Sequence, residues 1–165
     1  MSHPVFARRR ALCALGAAVV APLALQLPSA LAAPALPVVE VYKSPTCGCC
    51  GDWIKHLEAN GFKVKAINVD DMGPMRARLG MPAKYGSCHT AKVGGYLVEG
   101  HVPAREIKRL LSEKPQAIGI AVPGMPIGSP GMDGPVYKGM QMPYDVVLVA
   151  RDGGAKVYAS YRDKR

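Results

Sequence analysis

Three of the chain's five cysteines stand within four consecutive residues, Cys47-Gly48-Cys49-Cys50. For these sulfurs to act together, regular structure has to hold the turn on both sides, and the flanking residues supply it. Val38-Val39-Glu40-Val41-Tyr42 is apolar and β-branched and predicts a strand. Ser44-Pro45-Thr46 turns the chain. Gly51 to Asn60 predicts a helix, with Trp53, Ile54 and Leu57 on one stripe and Asn60-Gly61 as its stop. Phe62 to Val69 alternates apolar and polar residues and predicts a second strand. Strand, helix, strand is a βαβ unit whose two strands run parallel under the crossover rule. The thiol turn therefore sits where a strand ends and a helix begins.

The remaining pattern is also mixed α/β. Asp70-Asp71-Met72 opens a second helical stretch that Pro82 interrupts. Ser87-Cys88-His89-Thr90 predicts a polar turn, and Lys92 to Glu99 an extended segment bent at Gly94-Gly95. Pro103 opens a helix carrying Ile107, Leu110 and Leu111, which ends before Pro115. Residues 121–135 hold too much Pro and Gly for helix or sheet. They also carry Val, Ile and Met and few charges, which predicts an ordered loop packed on the domain. Tyr144 to Ala150 and Lys156 to Tyr161 predict two strands around an Asp152-Gly153-Gly154 turn.

The N-terminus reads as an address. Arg8-Arg9-Arg10 precedes an apolar run from Ala11 to Leu27, and Ala30-Leu31-Ala32 is an A-x-A cleavage signal. Residues 1–32 are expected to be a cleaved signal peptide, 33–37 a linker and 38–165 the mature domain. Arg9-Arg10 also resembles a twin-arginine signal, so the export route stays open. Cys13 is expected to leave with the signal, and Cys47, Cys49, Cys50 and Cys88 to remain. The full chain carries +9, and loss of the three signal arginines leaves +6. That excess serves solubility. No basic run is interleaved with aromatics, which argues against nucleic acid as a partner. No later stretch has the length of a membrane span. An exported chain can keep disulfides, but adjacent Cys49 and Cys50 in one tight turn suit a site better than a framework.

Cys47 and Cys50 have C-x-x-C spacing at the mouth of a helix, where unpaired N–H groups and the helix dipole favour thiolate. Thiolate is both the nucleophile of disulfide exchange and a metal ligand. This strand–turn–helix entry predicts a thioredoxin-like domain: a central mixed sheet with flanking helices and an inserted helical and loop segment. Pro143 is the candidate for the cis-proline that such domains set facing the cysteines, with Pro82 and Pro103 competing. Two departures stand out: Thr46 replaces an aromatic residue, and Cys49 adds a third thiol. Three thiolates in one turn repel one another, and a cation relieves the repulsion. Monovalent copper suits two- or three-coordinate sulfur, and thiolates can bridge several copper ions. Zinc needs a closed tetrahedron, for which Cys88 is the candidate fourth ligand with His89 or His101 beside it. The plainer alternatives are a Cys47–Cys50 disulfide with Cys49 idle, a buried Cys88, and hydrogen-bonded loop histidines at 89 and 101. His56 is expected to face solvent. Met72 and Met75 read as core filler. Met125, Met132, Met140 and Met142 surround the irregular loop and carry soft thioethers.

Four motifs then occur in order: Pro45-Thr46-Cys47-Gly48-Cys49-Cys50, Ser87-Cys88-His89-Thr90, Glu99-Gly100-His101-Val102-Pro103, and Ala121-Val122-Pro123-Gly124-Met125-Pro126 with Gly128-Ser129-Pro130-Gly131-Met132. Together they resemble the exported CopG-type copper-resistance proteins, over roughly residues 38–161. The resemblance implies a thioredoxin-like fold and a copper site on the CxCC turn, holding one or several Cu(I) ions. It implies Cys47, Cys49, Cys50 and Cys88 as ligands and His101 nearby, with His89, Met125 and Met132 as further candidates. It also implies copper tolerance in the periplasm through storage, transfer or redox interconversion, with copper ions and other periplasmic copper-handling proteins as partners. The rival expectation is a thiol–disulfide oxidoreductase in which Cys47 attacks, Cys50 resolves, and Cys49 or Cys88 relays. A structural zinc site is the third reading, and it predicts that chelation unfolds the domain.

Overall fold

The computed structural model describes residues 35–162, so the expected signal peptide lies outside the described residues. The first strand, β1 (Val39–Lys43), runs into α1 (Gly48–Ala59) and returns as β2 (Val64–Asn68). β1 and β2 are parallel, with Val41 opposite Ala66. Helix α2 (Met72–Leu79) is capped by Asp71, whose side chain accepts the Gly73 N–H, and stops at Gly80 in the left-handed region. β3 (His89–Val93) and β4 (Tyr96–Glu99) form a tight hairpin beside β1. Its two-residue turn needs positive φ at both positions, and Gly94 (54°) and Gly95 (86°) supply it. Helix α3 (Ala104–Glu113) crosses to β5 (Gly119–Ala121), which is parallel to β4; β6 (Tyr144–Val149) and β7 (Ala155–Tyr161) complete the sheet.

The seven strands run in the order β2-β1-β3-β4-β5-β6-β7, a mixed sheet with three α-helices. Alternation along each strand sorts the side chains into two cores. Val39, Val41, Val98, Ile120 and Val146 pack with Trp53 and Leu57 of α1 and with Ile107 and Leu110 of α3. Leu97, Ala121 and Val149 form a smaller core with Met81, against which Leu79 at the end of α2 packs. Among the described residues, no helix is long and apolar enough to cross a membrane.

Three expectations change. The Ser87–Thr90 segment is a polar turn only in its first half, because His89 and Thr90 open β3 and are completely buried. Both find polar neighbours inside, which their side-chain types do not announce. β5 was hidden in the sequence, since three residues are too few to show alternation. No peptide bond among the described residues is cis. Pro143 is exposed ahead of β6, and the residue directly before β3 is Cys88.

Candidate metal centre

Helix α1 begins at Gly48, three residues before the expected start at Gly51 and five before the first residue of its apolar stripe, Trp53. Cys47 is its N-cap, with extended backbone (φ −75°, ψ 96°), which places Cys49 and Cys50 in the first turn. The helix start is invisible to hydrophobic periodicity because Gly48 and the cysteines take its first positions. Cys50 is completely buried, whereas Cys47 and Cys49 are half-buried. Cys47 and Cys50 are joined as a disulfide with Cα atoms 5.4 Å apart, and Cys49 and Cys88 are free thiols. Cys49 is not idle. Its Sγ lies 3.6 Å from that of Cys47 and 3.9 Å from that of Cys88, while Cys50 Sγ lies 3.5 Å from Cys88 Sγ. All four sulfurs fall within 4.8 Å of one another, close enough to share a metal ion.

Cys88 also belongs to a second group. Its Sγ lies 3.1 Å from His101 Nε2 and 3.3 Å from His89 Nδ1. His101 donates its Nδ1 proton to the Pro130 carbonyl at 2.8 Å, which leaves Nε2 as a bare lone pair facing the sulfur. A ring fixed from behind by a backbone carbonyl is the usual arrangement of a metal-ligating histidine. The His89 ring lies tilted against Trp53, with ring centres 4.3 Å apart, and meets the His101 ring edge-on at 5.1 Å. His89 Nε2 is buried without a hydrogen-bond partner.

Burial and the neighbouring Cys49 push the Cys88 thiol up to about 12. Burial, then His101, holds His89 down to about 3, and burial also lowers His101. Without metal, Cys88 therefore keeps its thiol proton and the two imidazoles are uncharged. A soft cation would bind by displacing the thiol proton.

The loop at 121–135 packs against this centre. Ser129, Pro130, Gly131 and Met132 are buried. Gly131 has φ of 83°, and a β-carbon there would meet Cys49 O and Trp53 N at 2.7 Å, so the loop touches the first turn of α1 directly. Met132 Sδ accepts the Tyr137 hydroxyl at 3.3 Å. Met125 is exposed, next to Gly124, whose carbonyl takes the Ser87 hydroxyl at 2.5 Å. His56 differs from expectation: it is half-buried, and its Nε2 accepts the Ala104 N–H at 3.0 Å, capping α3. One turn earlier on α1, Trp53 Nε1 donates to Val102 O at 2.8 Å. These two ties fasten the segment after His101 to the helix of the thiol turn.

Four contributors lay outside the expected site: Trp53, Pro130, and Arg76 and Glu99, whose side chains bind the carbonyl and the N–H of Ser87 beside Cys88. The first two act through a ring face and a carbonyl, for which sequence carries no signal. Glu99 had one, a carboxylate closing the apolar run Tyr96-Leu97-Val98. A cavity of about 530 Å³ beside Pro130 is lined by His56, Arg105, Tyr144 and Tyr161 among others. No cysteine lines it, so the thiols lie off this cavity.

Comparison with known proteins returns related results. A family model described as a protein of unknown function, DUF411, matches residues 85–132, the stretch holding Cys88, His101 and Pro130. A solved structure of copper resistance protein CopG, form 2, is 49% identical, covers 77% of this chain and 99% of its own, and has a TM-score of 0.72. Form 1 is 48% identical, covers 78% and 99%, and has a TM-score of 0.71. No curated protein matches the chain.

Proposed function

Because the chain belongs to the family of copper resistance protein CopG, we propose that it is a copper-binding protein of copper tolerance. In this reading Cys47, Cys49, Cys50 and Cys88 hold one or several Cu(I) ions once a thiol reductant has opened the Cys47–Cys50 disulfide. His101 and His89 stand on the far side of Cys88 as further ligands. The observation that carries the reading is the convergence of four sulfurs within 4.8 Å, three from the start of α1 and one from just ahead of the neighbouring strand β3. Soft sulfur with imidazole at its edge suits monovalent copper better than a hard cation. The protein would be exported, lose residues 1–32 and meet other copper-handling proteins in the periplasm. A thioredoxin-like classification is supported by the strand order β2-β1-β3-β4 around the βαβ unit and by the thiol turn at the start of α1.

The test is metal analysis of reduced protein loaded anaerobically with Cu(I). At least one copper per chain should survive desalting, and Cys49→Ser should lower the content. Less than one copper in the wild type, or no loss in Cys49→Ser, defeats the reading. The disulfide itself favours a second reading, a thiol–disulfide oxidoreductase using Cys47 and Cys50. Turnover of a disulfide substrate that survives copper chelation and disappears in Cys47→Ser would favour that alternative.

A further inference from the structure

Cys88 supplies the one sulfur that does not come from the thiol turn, yet it lies outside helix and strand, just ahead of β3. What places it is the residue before it. Glu99 Oε1 accepts the Ser87 N–H at 2.7 Å, and Arg76 donates to the Ser87 carbonyl. The two side chains pair with each other, Arg76 Nε to Glu99 Oε1 at 2.8 Å. Thr90, two residues past Cys88, donates its hydroxyl to Glu99 Oε2 at 2.5 Å. One ion pair thus takes both backbone groups of Ser87 and also holds the first turnless residues of β3.

The pair is deeply placed, with Glu99 at 0% side-chain exposure and Arg76 at 12%. Burial pushes the Glu99 carboxyl up, against the pull of its donors, so the carboxylate is held there at a cost. Buried ion pairs are poor sources of stability, since apolar side chains of similar volume often do as well. The arrangement makes physical sense as orientation of the chain it grips.

We propose that the Arg76–Glu99 ion pair is a positioning device that sets Cys88 Sγ against Cys49, Cys50 and His101, so that metal holding by all four sulfurs depends on it. The metal clause rests on the copper reading above; the placement of Cys88 does not.

The test uses the oxidised full-length protein in a Cys13→Ser background, in which Cys49 and Cys88 are the two thiols outside the disulfide. Dibromobimane, which fluoresces once it bridges two thiols, is added at alkaline pH. The wild type is expected to give a bright Cys49–Cys88 bridge, lost in a Cys88→Ser control. The double variant Arg76→Met with Glu99→Leu should keep a cooperative melt but give a small fraction of the bridge, although both thiols still react with a monofunctional maleimide in urea. Should the double variant fail to fold, Arg76→Lys serves instead. It keeps the charge but not the planar fork that reaches both Ser87 O and Glu99, and the same loss of bridging is expected. Wild-type bridging in whichever variant folds overturns the proposal. Reduced variants titrated with Cu(I) against a chromophoric chelator should bind at least about tenfold more weakly, as is typical when a ligand's supporting group is lost. If the wild type takes up no copper, the copper reading fails while the bridging result still judges the placement.

Discussion

His56, His89 and His101 are each buried enough that the folded protein holds their pKa below the ordinary histidine value of 6.5. The unfolded chain therefore takes up protons from about pH 6.5 downward that the folded chain refuses. Stability from these groups is complete above that value and is lost as pH falls, with His89 contributing until about 3. The charges around His56 include Asp133 of the loop, which opposes the shift. Glu99, raised by burial, works in the opposite direction within the carboxylate range, so the decline should be steepest above it. Urea unfolding of metal-free, oxidised protein should give a falling free energy between pH 7 and pH 5, with a shallower slope in His56→Gln. A flat profile would mean that these rings are solvated. At this scale the sequence announced donors but not their surroundings. The cysteines and His101 could be named from motif and chemistry. The tautomer of His101 could not, because it is set by the Pro130 carbonyl, 29 residues away.

The loop around Gly131 is the element whose contribution is most open to test. It has no helix or strand between β5 and β6 other than one short 3₁₀ turn, Pro135–Tyr137, yet it supplies the Pro130 carbonyl and packs on the first turn of α1. A methyl group at residue 131 would strike backbone atoms of Cys49 and Trp53 and would also strain a residue at positive φ. Gly131→Ala should cost about 1–3 kcal/mol by denaturant unfolding and should speed alkylation of Cys49 and Cys88. Wild-type stability with unchanged alkylation would mean that the loop yields without disturbing the centre. The packed nature of this segment was legible from its apolar residues and scarcity of charge. Its partner was not, because Pro and Gly carry no periodicity that points to a neighbouring helix. The main helices and long strands were legible from alternation and from the apolar stripes of α1 and α3. The start of α1 was lost where cysteines replaced apolar residues, and β5 where the strand was too short.

Across the whole molecule, the sheet's two crossovers, β1-α1-β2 and β4-α3-β5, put α1 and α3 over one core. The His101 segment enters α3 from β4, while the thiol turn enters α1 from β1, so the centre lies where both helices begin. The expectation of a mixed α/β fold agrees with the described residues, which carry a single seven-stranded sheet. The order of its strands was beyond reach, because it depends on long-range pairing such as β1 with β3. Among these packed parts there is a single tryptophan in the entire chain, and its indole lies 4.3 Å from the His89 ring. That makes the protein its own optical probe. Stepwise Cu(I) addition to the reduced form should dim its intrinsic emission in proportion to occupancy, and an added chelator should bring the light back, with no dye or label required.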